Sequence, residues 1–246
     1  MRASDKLAAP PRPGADRGAH GDRYGATVIG TRRPRRRSPG PPLLRLVLAG
    51  ATGYLLGATP SADIASRLAT GGQLDLRSTG TGNPGAANAI GQLGPGWGYA
   101  VMAADVAKGA AACRAGGRLA SGTGAHVAGT AAVVGHCFPL WNGFRGGKGV
   151  AASAGQCLAT FPAYTVFDLA VAGLTAASPR WKRRAFAATA VASACWVAAA
   201  TVWWRRQWPN AWGPRPTAAL PAAAAASSAV ILSRFAAAAA RERVTS

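Results

Sequence analysis

From residue 43 onward the chain alternates apolar runs with short polar breaks rich in glycine. The runs fall at about 43–66, 97–114, 124–141, 149–178, 185–204 and 217–235. A helix needs roughly 20 predominantly apolar residues to cross a bilayer, so each run has about the length of one pass. The fourth is longer and is interrupted at Phe161-Pro162. Proline lacks an amide donor and disfavours helix at the residue before it, so this run reads as two short passes. The pattern predicts an all-α polytopic membrane protein with about seven transmembrane helices. Residues 1–42 show no periodicity and read as a basic, disordered N-terminal extension. Residues 43–240 form the membrane domain and 241–246 a short tail. No small-residue cleavage site follows a short apolar core, so no secretory signal is expected.

Charge sharpens this picture. Apolar residues make up 49% of the chain, yet its net charge is +20. Residues 1–42 hold ten Lys or Arg and three Asp, and the other 204 residues hold eighteen basic and five acidic ones. Long stretches therefore carry no charge, as a bilayer demands, because a charge at its centre costs about 2.5–3.5 kcal/mol on insertion scales. The bland alternative is a soluble alanine-rich helical protein. Against it, Trp196, Trp203, Trp204 and Trp208 lie close to Arg205 and Arg206, an aromatic and basic grouping typical of a membrane interface. Two apolar runs separate the loop containing Arg77 from the loop containing Arg145 and Lys148, which puts both on one side. Two crossings within 149–178 add Trp181-Lys182-Arg183-Arg184 and Arg241–Arg243 to that side, which the positive-inside rule makes cytoplasmic. The N-terminus then lies outside with its ten basic residues, against the same rule. The run RRPRRR at 32–37 has the composition of a nucleic-acid or anionic-lipid contact. We read it as part of the disordered extension and expect no nucleic-acid partner. The four cysteines lack CxxC spacing and the three histidines are scattered, so no metal site or cofactor is expected.

Three polar breaks carry candidate chemistry. The first runs from Asp75 to Asn88. Its glycines Gly80, Gly82 and Gly85 allow backbone amides to turn toward an anion, Arg77 offers a fork matched to phosphate, and Asn83 and Asn88 add neutral donors. The alternative is a plain flexible turn. In the second, Asp105 and Lys108 stand three residues apart on one helix face, inside an otherwise apolar run. An ion pair there is a functional candidate or a helix–helix tie. The third runs from Gly135 to Ala152, where Arg145 and Lys148 bracket Gly146-Gly147 and Gly149 follows. Two cations, backbone amides and the start of the next helix make an anion cradle. The spacing does not fit a Walker A loop. His136 is open to two readings, a proton-transfer group or a structural histidine.

Together these breaks resemble the bacterial, PlsY-type family of acyl-phosphate-dependent glycerol-3-phosphate acyltransferases. A first motif of the form DxRxxGSGNxGATN reads here as Asp75, Arg77, Gly80, Thr81, Gly82, Asn83, Gly85, Ala86, Ala87 and Asn88. The second, DxxKG, falls on Asp105, Lys108 and Gly109. The third, GHxFPxxxxFxGGKGVA, falls on Gly135, His136, Phe138, Pro139, Phe144, Gly146, Gly147, Lys148, Gly149, Val150 and Ala151. The resemblance implies a multi-pass cell-membrane enzyme with its glycine-rich loops on the cytoplasmic face. It implies transfer of an acyl chain from acyl-phosphate to the 1-hydroxyl of sn-glycerol 3-phosphate, giving lysophosphatidic acid for phospholipid synthesis. Arg77, Asn83, Asn88, His136 and Lys148 would be catalytic. Gly80, Thr81, Gly82, Gly85, Asp105, Lys108, Arg145, Gly146, Gly147 and Gly149 would bind substrate. The chain departs from the pattern at Ala58, where a GSxP element would place serine, and at Ala87. It also lacks a C-terminal HxxNIxRL element after Arg234-Phe235. A catalytically impaired lipid- or phosphate-binding relative is therefore the first alternative, and a small anion transporter the second, although no internal repeat is visible.

Overall fold

A computed structural model describes residues 42–245. The predicted N-terminal extension falls almost wholly outside the described residues. Eight α-helices follow one another among them: α1 (Leu43–Gly57), α2 (Ser61–Thr70), α3 (Ala86–Leu93), α4 (Pro95–Cys137), α5 (Val150–Thr160), α6 (Pro162–Ala177), α7 (Arg184–Arg206) and α8 (Ala219–Thr245). No strand occurs among the described residues.

Two breaks shape the bundle. Ala120 and Ser121 leave helical geometry inside α4, and Gly116 then packs against Gly124 while Gly129 packs against Cys113. The arms before and after this point are thus antiparallel. At the second break, Phe161 is non-helical and Pro162 opens α6. Here Phe161 meets Trp203 edge-on, and Asn210 Nδ2 donates to Thr160 O. At the opposite end of α7, Phe186 meets Phe235. Because α6 packs along α7, the chain turns back at Pro162. The interrupted run at 149–178 is therefore two helices. The run expected at 43–66 is also divided, since Pro60 carries no amide hydrogen and ends the continuity between α1 and α2.

Small residues let the helices approach closely. A Cβ on Gly53 or Gly57 would overlap the backbone of Ala128 or Ala132, and one on Gly109 or Gly155 would overlap Ala152 or Val106. Such contacts are the usual basis of helix association in lipid, where burial of apolar surface supplies no drive. A polar tie supplements them: Ser227 Oγ donates to Gln156 Oε1 at 2.8 Å, joining α8 to α5. Leu43–Thr70, Arg184–Arg206 and Ala219–Arg241 are long and apolar enough to cross a membrane, and Pro162–Ala177 is a shorter apolar helix. At the end where α1 stops, α2, α3 and the start of α4 close a small core around Ala62, Ala65, Leu76, Ala89 and Val101.

Gly50 has only Val127 Cγ1 near its missing Cβ, at 3.5 Å, whereas Gly53 faces backbone. Gly53→Ala should therefore lower the thermal unfolding midpoint of the detergent-solubilised protein, at a cost of about 1–3 kcal/mol. Gly50→Ala should leave it nearly unchanged.

Candidate active site

The three predicted loops converge where α1 ends. They enclose a cleft whose walls include Ser61, Asp63, Arg77, Lys108, His136 and Asn142. Behind Ser61, Lys108 and His136, Asp105 is 2% exposed. It receives Lys108 Nζ at 2.8 Å and the Ser61 hydroxyl, and His136 Nδ1 stands 3.5 Å away. Lys108 also donates to Thr59 O at 3.0 Å. One buried carboxylate thus gathers groups from the start of α2 and from both arms of α4. Ala58 is itself buried, and the hydroxyl-bearing residues of this stretch that line the cleft are Thr59 and Ser61.

Arg77 forms the opposite wall. Its guanidinium grips Asp63 through Nη1 at 2.6 Å and Nη2 at 3.1 Å, and its Nε donates to Arg145 O at 2.9 Å. Asn142 Nδ2 also donates to Asp63, at 2.8 Å. Burial works against the Arg77 charge, but hydrogen bonding to Asp63 and the fields of Asp63 and Asp75 outweigh it, so its pKa lies above the ordinary arginine value.

The first loop is built on Asn88. Its Oδ1 accepts the Thr81 amide at 3.0 Å, and its Nδ2 donates to Leu76 O at 2.9 Å and Thr79 O at 3.0 Å. Asn88, expected to act on substrate, thus commits its amide to holding the loop. Gly80 has φ +58° and lies so close to Asn88 Oδ1 that a Cβ would collide with it. Gly82 also has positive φ, and Gly85 opens α3 from an extended conformation. Thr81 is exposed and Asn83 half-buried at the loop surface.

In the third loop the Gly146 amide bonds Cys137 O and the Gly147 amide bonds His136 O, both at 3.1 Å. These amides, read from the sequence as anion donors, satisfy the carbonyls that the end of α4 leaves open. Gly147 lies against the His136 imidazole, where any Cβ would strike the ring. Gly149 begins α5 at φ +88°. Lys148 lies 4.5 Å above the Phe235 ring and is not among the described residues that line the cleft. The Arg145 side chain is exposed.

Sequence reading passed over Asp63, Asn142 and Arg234. Arg234 reaches from α8 to donate to Gly146 O at 2.8 Å and to Gly147 O at 3.3 Å. The last helix therefore does contribute a polar group beside the site. Asp63 and Asn142 belong to no recognisable local pattern, and only their position beside Arg77 makes them notable. No cluster of His, Cys, Asp or Glu suited to a metal occurs among the described residues.

Residues 47–242 match the family model described as glycerol-3-phosphate acyltransferase. A glycerol-3-phosphate acyltransferase of Symbiobacterium thermophilum is 35% identical over 139 residues, covering 56% of this chain and 68% of that protein. One from Synechococcus sp. (strain JA-3-3Ab) is 43% identical over 119 residues, covering 48% of this chain and 58% of the relative. The crystal structure of PlsY (YgiH), an integral membrane glycerol 3-phosphate acyltransferase, in its glycerol 3-phosphate form, superposes with a TM-score of 0.63. That match has 25% identity and covers 81% of this chain and 92% of the other.

Asn88→Ala should free the first loop at a cost of about 1–3 kcal/mol, because the buried groups it satisfies are left unpaired. Limited proteolysis should then cut within residues 75–85 faster than in the unsubstituted protein, with the helices still protected.

Proposed function

The chain belongs to the glycerol-3-phosphate acyltransferase family, and from that membership we propose that it transfers an acyl chain from acyl-phosphate to the 1-hydroxyl of sn-glycerol 3-phosphate. The product is lysophosphatidic acid, and the chain serves phospholipid synthesis in the cell membrane. The observation that carries this reading is the meeting of Arg77, Lys108 and His136 around one cleft, with the buried Asp105 carboxylate paired to the last two.

The chemistry needs little beyond positioning. The acceptor oxygen bonds to the acyl carbon while the bond from that carbon to the phosphate oxygen breaks, and the bonding electrons leave with phosphate. The hydroxyl proton ends on the departing phosphate, either directly or through His136. Phosphate is already a good leaving group, so no covalent enzyme intermediate is required. Correct orientation of two reactants supplies up to roughly 7–11 kcal/mol of barrier reduction, and donors aimed at the developing oxyanion add a few more. Arg77 and Lys108 hold the phosphates from the cleft walls, and Lys148 joins them by swinging off the Phe235 ring. Asn83 serves the oxyanion, since the Asn88 amide is occupied within its own loop.

Helix direction supports a seven-pass arrangement. The arms of α4 count as two passes, α5 and α6 as two more, and α1, α7 and α8 as one each. The three loops, the α6–α7 connection and the end of α8 then share one side, and the basic residues of that connection make it cytoplasmic.

Purified protein should form lysophosphatidic acid from acyl-phosphate and labelled glycerol 3-phosphate, read by thin-layer chromatography. Binding of glycerol 3-phosphate without turnover would identify an impaired relative instead, and product formed only from acyl-CoA would refute the donor. Arg77→Ala and Lys148→Ala should each lower kcat/KM by roughly 10- to 100-fold, the expected loss of a charge-assisted hydrogen bond, chiefly through a higher KM for a phosphorylated substrate.

A further inference from the structure

The α8 contact with the third loop involves two crossed pairs. Arg234 lies 5.1 Å from the centre of the Phe138 ring, while its neighbour Phe235 lies under the Lys148 ammonium at 4.5 Å. A cation of the helix rests on an aromatic ring of the loop segment, and a cation of the loop rests on an aromatic ring of the helix. Between these pairs the Arg234 guanidinium takes two successive carbonyls, Gly146 O at 2.8 Å and Gly147 O at 3.3 Å.

The first of those carbonyls belongs to a peptide plane with a second anchor. The carbonyl and amide of a trans peptide point in opposite directions. In the plane joining Gly146 to Gly147, the carbonyl faces Arg234 and the amide donates to His136 O at 3.1 Å. The guanidinium, the peptide and the backbone of His136 therefore form one chain of hydrogen bonds. The Gly147 Cα then lies directly against the His136 imidazole, whose other nitrogen faces Asp105 at 3.5 Å. His136 is 8% exposed, so its ring orientation depends on this packing. A planar fork suits two adjacent carbonyls, which a point-charge ammonium cannot bridge in the same way.

We propose that Arg234 is a positioning residue for acyl transfer, acting through the Gly146–Gly147 backbone to hold the His136 imidazole against Asp105. The proposal rests on the acyltransferase reading above, and it gives α8 a role in turnover that its apolar sequence does not announce. Arg234 is not assigned a contact with either substrate. Its loss therefore acts on kcat, whereas loss of a phosphate ligand acts on KM.

The test uses the full-length purified protein with Arg234→Lys, Arg234→Gln and Phe138→Leu. Phe138→Leu removes the ring under the guanidinium and leaves both carbonyl acceptors. Arg234→Lys and Arg234→Gln should each lower kcat by roughly 10- to 100-fold, the scale of a displacement of about 1 Å in a catalytic group, with KM for glycerol 3-phosphate within about twofold. Phe138→Leu should have a smaller effect in the same direction. A readout independent of turnover is the rate at which diethylpyrocarbonate modifies His136, followed by peptide mass spectrometry that separates it from His20 and His126. That rate should rise several-fold in both Arg234 variants while the thermal unfolding midpoint stays within a few degrees. Unchanged kcat and His136 reactivity in Arg234→Lys, or a rise in KM alone, would overturn the proposal. If Arg234→Gln fails to fold, Arg234→Lys and Phe138→Leu carry the same comparison. Inactivity of the unsubstituted protein would defeat the acyltransferase reading, whereas His136 reactivity would still decide the role of Arg234.

Discussion

A carboxylate removed from water must be met by donors or it does not stay ionised. Asp105 lies inside the bundle at 2% exposure, and the structure around it is arranged to meet that demand. Lys108 comes from the same helix, one turn on. The Ser61 hydroxyl comes from the first residue of α2, and His136 from the end of the second arm of α4. Satisfying one anion thereby fixes the joint between α1 and α2 against both arms of α4. Two further bonds brace the same joint: Trp141 Nε1 donates to Ala58 O at 2.7 Å and Tyr54 OH to Phe138 O at 2.8 Å. Each ties α1 to the segment after α4, so the third loop is carried into place by the first helix.

These polar contacts are short-range, and they form only because the backbones are close. Gly57 lets α1 lie on Ala132, and Gly135 lies against Tyr54 and Ala58. One methylene more at either position would separate the Thr59–Ser61 segment from Asp105 and Lys108. The many alanines and glycines therefore do more than make the chain weakly apolar. They set the helix spacing on which the site's hydrogen bonds depend, and in lipid close packing of this kind is also the main source of helix association.

The loops were legible in the sequence because charge and glycine stand out in a chain with so few charged residues after position 42. The split at Phe161-Pro162 was legible for a similar reason, since proline marks a break wherever it falls. Pro60 sent the same signal, but the apolar run continues past it to Ile64, and the run masked the break. Partners distant in sequence were not legible. Asp63 is brought to Arg77 across 14 residues and to Asn142 across 79, and Arg234 meets Gly146 across 88. Backbone direction was also hidden. Gly146 and Gly147 have the composition of an anion cradle, yet which way an amide points depends on where the preceding helix stops. Here α4 stops at Cys137, leaving open carbonyls that those two amides fill.

The pairing of the cleft's cations bears on how it would select a phosphate. Arg77 is matched by Asp63, with Asp75 behind it, and Lys108 is matched by Asp105. Neither presents a bare positive charge to the cleft, so neither holds anions indiscriminately. The arrangement instead fixes the direction of the donors that remain. Arginine carries five N–H groups in a rigid fork, and the carboxylates and Arg145 O do not exhaust them. A phosphate that fits beside Asp63 meets donors already oriented, without the reorganisation cost that a mobile arginine would impose. Longer-range attraction then falls to cations outside these matched pairs. The exposed Arg145 side chain is one such cation, whereas the Arg234 guanidinium is engaged by two carbonyls and a ring. Attraction and orientation are thus divided between different residues, and loss of Arg77 would weaken binding of a phosphorylated substrate by removing donors that Asp63 holds in place.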